Sequence, residues 1–399
     1  MEALYKDSHR RLSRTSMKFM RYLLDEIDWS NRLISITGAR GVGKTTLIYQ
    51  HIKRDLDKDH KVLYVSLENP YFYNHTIVDL AEDFHNSGGR YLFLDEVHKY
   101  KNWSREVKFV YDSFPDLNIV ITASSILDIY KSEADLSRRA VSYRLEELSL
   151  REYIELKSGV KLPSYSLKQI LKNHQSIAEE ILGKIKPIYE FDNYNKYGCY
   201  PYFKEGLGSY WEKIIHTIHL IVEVDLIGIK GFDYSLIPKL KKFQYMVSTS
   251  LPFTPNITKI SERLGVSRPT LINAIRYLKE AELLISLHKE SRGIGVLTKP
   301  DKIFVRNSNL MYAYVGNGNK IDVGAMRETF FANQVGIRHR LTVAPKADFV
   351  VDDKYTFEVG GRNKDKSQIK GIKNSFLVKD DIEVGYGNVI PLWLFGFMY

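Results

Sequence analysis

Residues 36–48 read ITGARGVGKTTLI, a glycine-rich bend between two apolar runs, with a lysine and two threonines at its exit. Gly38, Gly43, Lys44 and Thr45 fit the spacing G-x-x-x-x-G-K-[ST]. Small residues at these positions let backbone N–H groups close around phosphates at a helix N-terminus. Gly38, Ala39, Arg40, Gly41, Val42, Gly43, Lys44, Thr45 and Thr46 are therefore the candidate nucleotide-binding loop. Lys44 would neutralise phosphate charge, and the Thr45 hydroxyl would help hold Mg²⁺. Downstream, YLFLDEVH closes an apolar run with Asp95 and Glu96. At the carboxyl end of a buried strand, Asp95 can share the Mg²⁺ with Thr45, and Glu96 can orient and deprotonate water. NIVITASS places Thr122 and Ser124 at the end of a further apolar run, as candidates to hydrogen-bond a terminal phosphate or the attacking water. Arg138 and Arg139, in DLSRRAVSYRLEEL, are candidate arginine fingers, in cis or across a subunit boundary.

Two further stretches could do chemistry. In ITKISERLGVSRPTLINAIRYLKEAELLISL, Gly265 marks a turn between two helical patterns, and Ser267 with Pro269 suits the start of the second. Leu271, Ile275 and Leu278 share one face, leaving Arg268, Thr270, Asn273, Arg276 and Tyr277 on the others; the arrangement resembles a winged helix-turn-helix, which implies contact with DNA, with a structural or oligomerisation module as the alternative. In KADFVVDDKYTFEVGGRNKDKSQIKGIK, a hairpin closing around Asp352, Asp353 and Lys354 sets Asp348 opposite Glu358, with Phe349 and Phe357 paired on the other face. Two carboxylates with Cβ atoms about 5 Å apart repel one another and call for a cation or a proton between them. A divalent metal at a second site is the natural candidate.

The elements that must position these residues follow from the apolar pattern. RLISIT, KVLYVSL, YLFLDE, NIVITA and AVSYRLEEL alternate with helical stretches, the rhythm of a parallel sheet with crossover helices. The expected divisions are a parallel-sheet core over 1–147, a helical subdomain in the place of a lid over 148–238, a compact trihelical unit holding the helix-turn-helix pattern over 239–290 and a C-terminal domain that returns to strands over 291–399. Length favours several domains, and 44% apolar with 27% charged residues describes a globular chain. No apolar stretch approaches membrane-spanning length. The basic N-terminus has no apolar core followed by small residues, which argues against a secretion signal. One cysteine, Cys199, excludes an internal disulfide and a cysteine-based zinc cluster, so a reducing cytoplasm fits. A formal charge of +10 favours encounters with nucleic acid or another polyanion.

With these motifs in place, residues 15–235 resemble the AAA+ branch of P-loop ATPases: GARGVGKT, YLFLDE, a polar sensor in ITASS, an arginine pair and a helical segment after LSLREY. The resemblance implies an α/β fold whose sensor strand lies between the loop strand and the Asp-Glu strand. It also implies ATP rather than GTP, with Mg²⁺, and assembly into homo-oligomers in the ATP-bound state. More closely, the chain resembles prokaryotic ATPases with a C-terminal winged helix and a restriction-endonuclease-like domain of α+β type. Glu328, Asp348, Glu358 and Gln368 fall where the PD-(D/E)xK nuclease core places polar residues. That core carries a lysine two residues beyond the second acid, where this chain has Gly360. The departure favours a non-cleaving domain over an active nuclease, unless Gly360 and Gly361 allow a bend that brings Arg362 or Lys364 close. Two functions follow as expectations: an Mg²⁺-dependent ATPase acting through a DNA-interacting C-terminal half, or a nucleotide-switched scaffold for a protein partner with slow hydrolysis.

Overall fold

The computed structural model describes residues 1–56, 61–123, 136, 138–226, 233–249, 255–289, 299–316 and 320–399. The chain divides into two compact units, Met1–Glu146 and Glu147–Tyr399.

The first unit is built on five parallel strands: β1 (Leu33–Thr37), β2 (Val62–Ser66), β3 (Tyr91–Asp95), β4 (Asn118–Thr122) and β5 (Val141–Arg144). Their order across the sheet is β2-β3-β4-β1-β5, so β4 lies between the loop strand β1 and the Asp-Glu strand β3, as expected. Strands covered on both faces read as continuous apolar runs rather than alternating ones, and every residue of β1 is buried. Around the sheet lie α1 (Glu2–Arg14), α2 (Lys44–Asp55), α3 (Ile77–Asn86) and α4 (Trp103–Ser113). Thr76 starts α3 with a reciprocal capping pair: its hydroxyl accepts from Asp79 N–H, and the Asp79 carboxylate accepts from Thr76 N–H. Leu80, Phe84, Val107 and Val110 from the helices meet Leu63, Leu92, Leu94, Ile119 and Ile121 from the strands in one core. Parallel strands bring their carboxyl ends to one edge, where open α/β sheets bind ligands.

The second unit holds α5 (Leu150–Ser158), α6 (Leu167–Leu182), α7 (Pro187–Tyr197) and α8 (Tyr210–Leu220), followed by α9 (Ile237–Thr249), α10 (Ile257–Leu264) and α11 (Arg268–Glu280). Gly265 turns between α10 and α11 at φ 62, and Ser267 caps α11 by accepting from Thr270 N–H. Leu271, Ala274, Ile275 and Leu278 are buried, while Arg268, Asn273 and Arg276 are exposed. Strand β6 (Leu284–Leu287) then pairs antiparallel with β7 (Lys302–Val305).

A mixed sheet follows, of β8 (Leu341–Val343), β9 (Phe349–Val351), β10 (Tyr355–Gly360), β11 (Ser375–Lys379) and β12 (Val389–Pro391), with α12 (Ser308–Val315) and α13 (Val323–Gly336) preceding it. The register of β9 with β10 is the expected one, Val351 opposite Tyr355 and Phe349 opposite Phe357. Phe331 of α13 packs its ring 5.1 Å from those of Phe349 and Phe357.

The segments expected as lid, helix-turn-helix and C-terminal domain all lie inside this one unit. Ser149 Oγ and Arg151 Nε donate to the Tyr399 carbonyl at 2.9 and 2.8 Å, and Gln175 Nε2 to the Gly385 carbonyl at 3.1 Å. The cause is apolar burial. The closing turn Leu392–Phe397 is buried at every residue, so it needs partners on all sides, and α5 and α6 supply part of them. Among the described residues no helix is long and apolar enough to cross a membrane.

Candidate functional site

The loop after β1 turns through three glycines with positive φ: Gly38 at 146, Gly41 at 79 and Gly43 at 100. Side-chain-bearing residues rarely adopt such angles. At Gly38 space adds a second demand, because a Cβ there would collide with the Leu145 carbonyl oxygen just beyond β5. Lys44 opens α2 and is buried, with Nζ donating to the carbonyls of Gly38 at 2.8 Å and Ala39 at 3.0 Å. Its ammonium group thus spans the concavity that the loop encloses. Ala39, Arg40, Val42 and Thr46 complete the loop, Val42 buried and Thr46 exposed.

Asp95 ends β3, buried, and accepts three hydrogen bonds. Thr45 Oγ1 donates to Oδ2 at 2.8 Å, Tyr64 Oη donates to the same oxygen at 2.6 Å, and Thr122 Oγ1 donates to Oδ1. The Thr122 hydroxyl also accepts from Glu96 N–H at 3.0 Å. That hydroxyl ties β4 to the Asp95-Glu96 corner, giving its proton to one residue and a lone pair to the other. Ser124 lies outside the described residues.

Glu96 sits in the left-handed region at φ 56, a conformation that costs energy in a residue other than glycine and persists where the surroundings enforce it. Its Oε2 is buried and makes no hydrogen bond among the described residues, with His98 Nε2 3.3 Å away. Burial pushes the Glu96 pKa up. Asp95 adds to the rise, while Lys44 and Arg40 oppose it.

Arg138 and Arg139 are not brought to this corner. They precede β5, which runs parallel to β1, so they stand at the end of the sheet opposite the loop. Arg139 forms a paired contact with Asp112 of α4, Nε and Nη2 each 2.9 Å from a carboxylate oxygen. Two residues that the sequence reading missed do serve the site. Tyr64 reaches Asp95 from β2. Arg21, buried, donates from Nη1 to the Val42 carbonyl at 2.5 Å and from Nη2 to the Glu146 carbonyl at 2.8 Å, which pins the loop.

In the second unit, Asp348 and Glu358 lie side by side as expected, joined by Glu328 of α13, and lysines provide the cations. Lys302 Nζ of β7 contacts both Glu328 and Asp348, the latter at 3.3 Å, and Lys364 Nζ lies 2.5 Å from Glu358 Oε1. Gly360 explains how Lys364 arrives. A Cβ at 360 would come within 2.6 Å of Lys364 Cβ and Cγ, so the missing side chain is the space that Lys364 fills. Burial, then Asp348, raises the Glu328 pKa to about 7, with Lys302 opposing. Glu358 Oε2 is buried and unbonded among the described residues. Also among the described residues, no group of three or more His, Cys, Asp and Glu side chains is arranged to hold a metal ion.

The comparisons with known proteins agree with the first unit. Residues 30–154 match the AAA domain. The chain therefore carries an AAA-type nucleotide-binding domain, and the glycine loop, Asp95 and Glu96 all fall within it. Over 403 aligned positions the chain is 26% identical to an uncharacterized protein of Methanocaldococcus jannaschii, covering 92% of this chain and 84% of that one. Among solved structures it is similar to AMPPCP-bound DnaA from Aquifex aeolicus, at 18% identity and a TM-score of 0.28, over 64% of this chain and 84% of DnaA. It is also similar to a katanin structure, at 18% identity and a TM-score of 0.27, over 34% of this chain and 48% of katanin. At those scores the AAA domain assignment rests on the family match and the site geometry, not on either likeness.

Proposed function

We propose that the first unit is an Mg²⁺-dependent ATPase whose turnover acts through a DNA-interacting second unit. The observation that carries the ATPase reading is the convergence of Thr45, Asp95, Thr122 and Glu96 from three separate segments on one corner beside the loop. The donor set fits magnesium, a hard cation that takes oxygen ligands and is bound with one or two carboxylates plus substrate phosphates. Thr45 gives its proton to Asp95, which leaves its oxygen lone pairs for the metal. Bound there, the ion would supply charge neutralisation at the terminal phosphates.

The chain's own groups do the rest. The N–H groups of residues 38–46 cradle the phosphates, and Lys44 exchanges its two carbonyl contacts for phosphate oxygens. Asp95 orients Thr45. Glu96 accepts the proton of the attacking water through its carboxylate, whose Oε2 lies shielded from solvent beside His98 Nε2. Arg138 or Arg139 acts in trans, at the site of a neighbouring copy in an ATP-bound oligomer, since the fold holds both away from their own loop.

DNA is the partner that the second unit's chemistry favours. α11 exposes Arg268, Asn273 and Arg276 on the face opposite its buried residues, as a helix reading a groove requires. The acids Asp348 and Glu358 form, in this reading, a lysine-neutralised cluster in a non-cleaving domain rather than a second metal site. ATP turnover of the full chain, measured with and without duplex and single-stranded DNA at two salt concentrations, tests the reading. DNA should raise the rate, and the effect should shrink as salt rises, because phosphate contacts weaken through counterion release. A rate indifferent to DNA at low salt would overturn the DNA role and leave the ATPase standing.

A further inference from the structure

A tyrosine on β2 has no place in the hydrolytic constellation, yet Tyr64 makes one of the closest contacts in it. Tyr64 pairs with Phe93 across the β2–β3 register, and Asp95 pairs with Ser66. Asp95 is thus the diagonal neighbour of Tyr64 on the same face, a separation that aromatic side chains can bridge. The ring is buried and packs edge-on against Tyr49 of α2, centroids 4.6 Å apart. Its hydroxyl reaches Asp95 Oδ2 at 2.6 Å. An ionised carboxylate offers only lone pairs, so in this contact the phenol is the donor.

Thr45 gives its proton to that same Oδ2 at 2.8 Å, and Thr122 gives its proton to Oδ1. For Thr45 to aim its lone pairs at a metal, Oδ2 must stay where the Thr45 proton can find it. Thr122 restrains the carboxylate through Oδ1, while Thr45 is itself the group that has to be aimed. A second donor on Oδ2, from the buried Tyr64, holds that oxygen independently of Thr45. We propose that Tyr64 is a positioning residue that fixes Asp95 so that Thr45 and Asp95 together present a preorganised magnesium site. This rests on the ATPase reading above and names a residue on which metal affinity depends. Groups that hydrogen-bond a metal's carboxylate partner typically change metal affinity 10- to 100-fold when removed.

The test uses the full chain and adenylyl imidodiphosphate, a non-hydrolysable ATP analogue, with affinity measured by calorimetry in EDTA and across a MgCl₂ titration. Tyr64→Phe keeps the ring and removes the hydroxyl. Tyr71→Phe is the control, because the Tyr71 hydroxyl is also shielded from solvent but makes no hydrogen bond among the described residues. The expected result is that Tyr64→Phe needs roughly 10- to 100-fold more Mg²⁺ to tighten nucleotide binding. Its affinity in EDTA should match wild type even though the lost hydrogen bond lowers the melting temperature, and Tyr71→Phe should titrate as wild type. A Tyr64→Phe titration that superimposes on wild type overturns the proposal. So does an equal loss of affinity with and without Mg²⁺, which would mark a packing role. If wild type itself binds no nucleotide, the ATPase reading falls and takes this proposal with it.

Discussion

Glu96 carries the greatest chemical demand at the scale of single residues. It lies in a left-handed backbone conformation, half-buried, with Oε2 shielded from solvent 3.3 Å from His98 Nε2. Its raised pKa has a consequence with a definite sign. A general base works ionised, so turnover should fall as pH drops through a value above the ordinary glutamate range near 4.3. The acid limb of kcat/KM against pH reports it, and a limb at or below 4.3 would show that another group is the base. Much of this corner was legible in the sequence, because G-x-x-x-x-G-K-[ST] and the Asp-Glu pair are local patterns whose chemistry depends on neighbours in the chain. The aim of Thr122 was not legible, since position at a strand end does not say which partner takes the hydroxyl. Tyr64 and Arg21 were hidden for a related reason: their partners lie on other strands and loops, 31 residues away for Tyr64 and 21 and 125 for Arg21.

Strand order decides the geometry at the scale of elements. Inserting β4 between β1 and β3 brings Thr122 beside Asp95, and no side-chain pattern in one strand encodes that adjacency. The hairpin register of β9 and β10 could be read, because two phenylalanines facing a core fix which residues pair. What occupies the carboxylate cluster could be read in part: the bend at Gly360 that would bring Arg362 or Lys364 close does bring Lys364, whereas Lys302 comes from β7, with no local pattern tying it to the acids. Lys302 bridges Glu328 and Asp348 in largely buried surroundings. Removing one partner of such a cluster leaves buried charge uncompensated, which costs about 3 kcal/mol. Lys302→Met should therefore lower the denaturation midpoint of the second unit, and adding Glu328→Gln should restore part of the loss. Unchanged unfolding in Lys302→Met would show that the lysine is not the cluster's counter-ion.

At the scale of the whole molecule the chain divides between Glu146 and Glu147. Adjacent glutamates are held there by different groups. The Glu146 carbonyl takes Arg21, and the Glu147 carboxylate takes Arg306 Nε at 3.0 Å and Asn307 Nδ2 at 3.1 Å. Burial alone would raise the Glu147 pKa, but Arg306 and the hydrogen bonds outweigh it, and the net direction is down. A carboxyl group whose folded pKa is depressed adds stability above its unfolded value near 4.3, and that stability is lost as pH falls through the folded value. The stability gap between wild type and Glu147→Gln, from denaturant titrations at a series of pH values, should be constant above about pH 5 and shrink below about 4.3. A gap that grows on acidification would reverse the sign. The strand rhythm of the sequence stops near residue 147. The embedding of α5 and α6 against the chain's last residues was not legible there, because contacts between segments more than 200 residues apart leave no local trace.

Wild type and Glu96→Gln, each mixed with radiolabelled ATP and Mg²⁺ and followed through a single turnover, test the central claim most directly. Hydrolysis at the corner formed by Asp95, Thr122 and Glu96 requires that wild type release ADP and phosphate while Glu96→Gln retains unhydrolysed ATP at comparable affinity. Equal turnover in the two proteins would contradict the assignment of the base. ATP retained by neither would contradict the site itself.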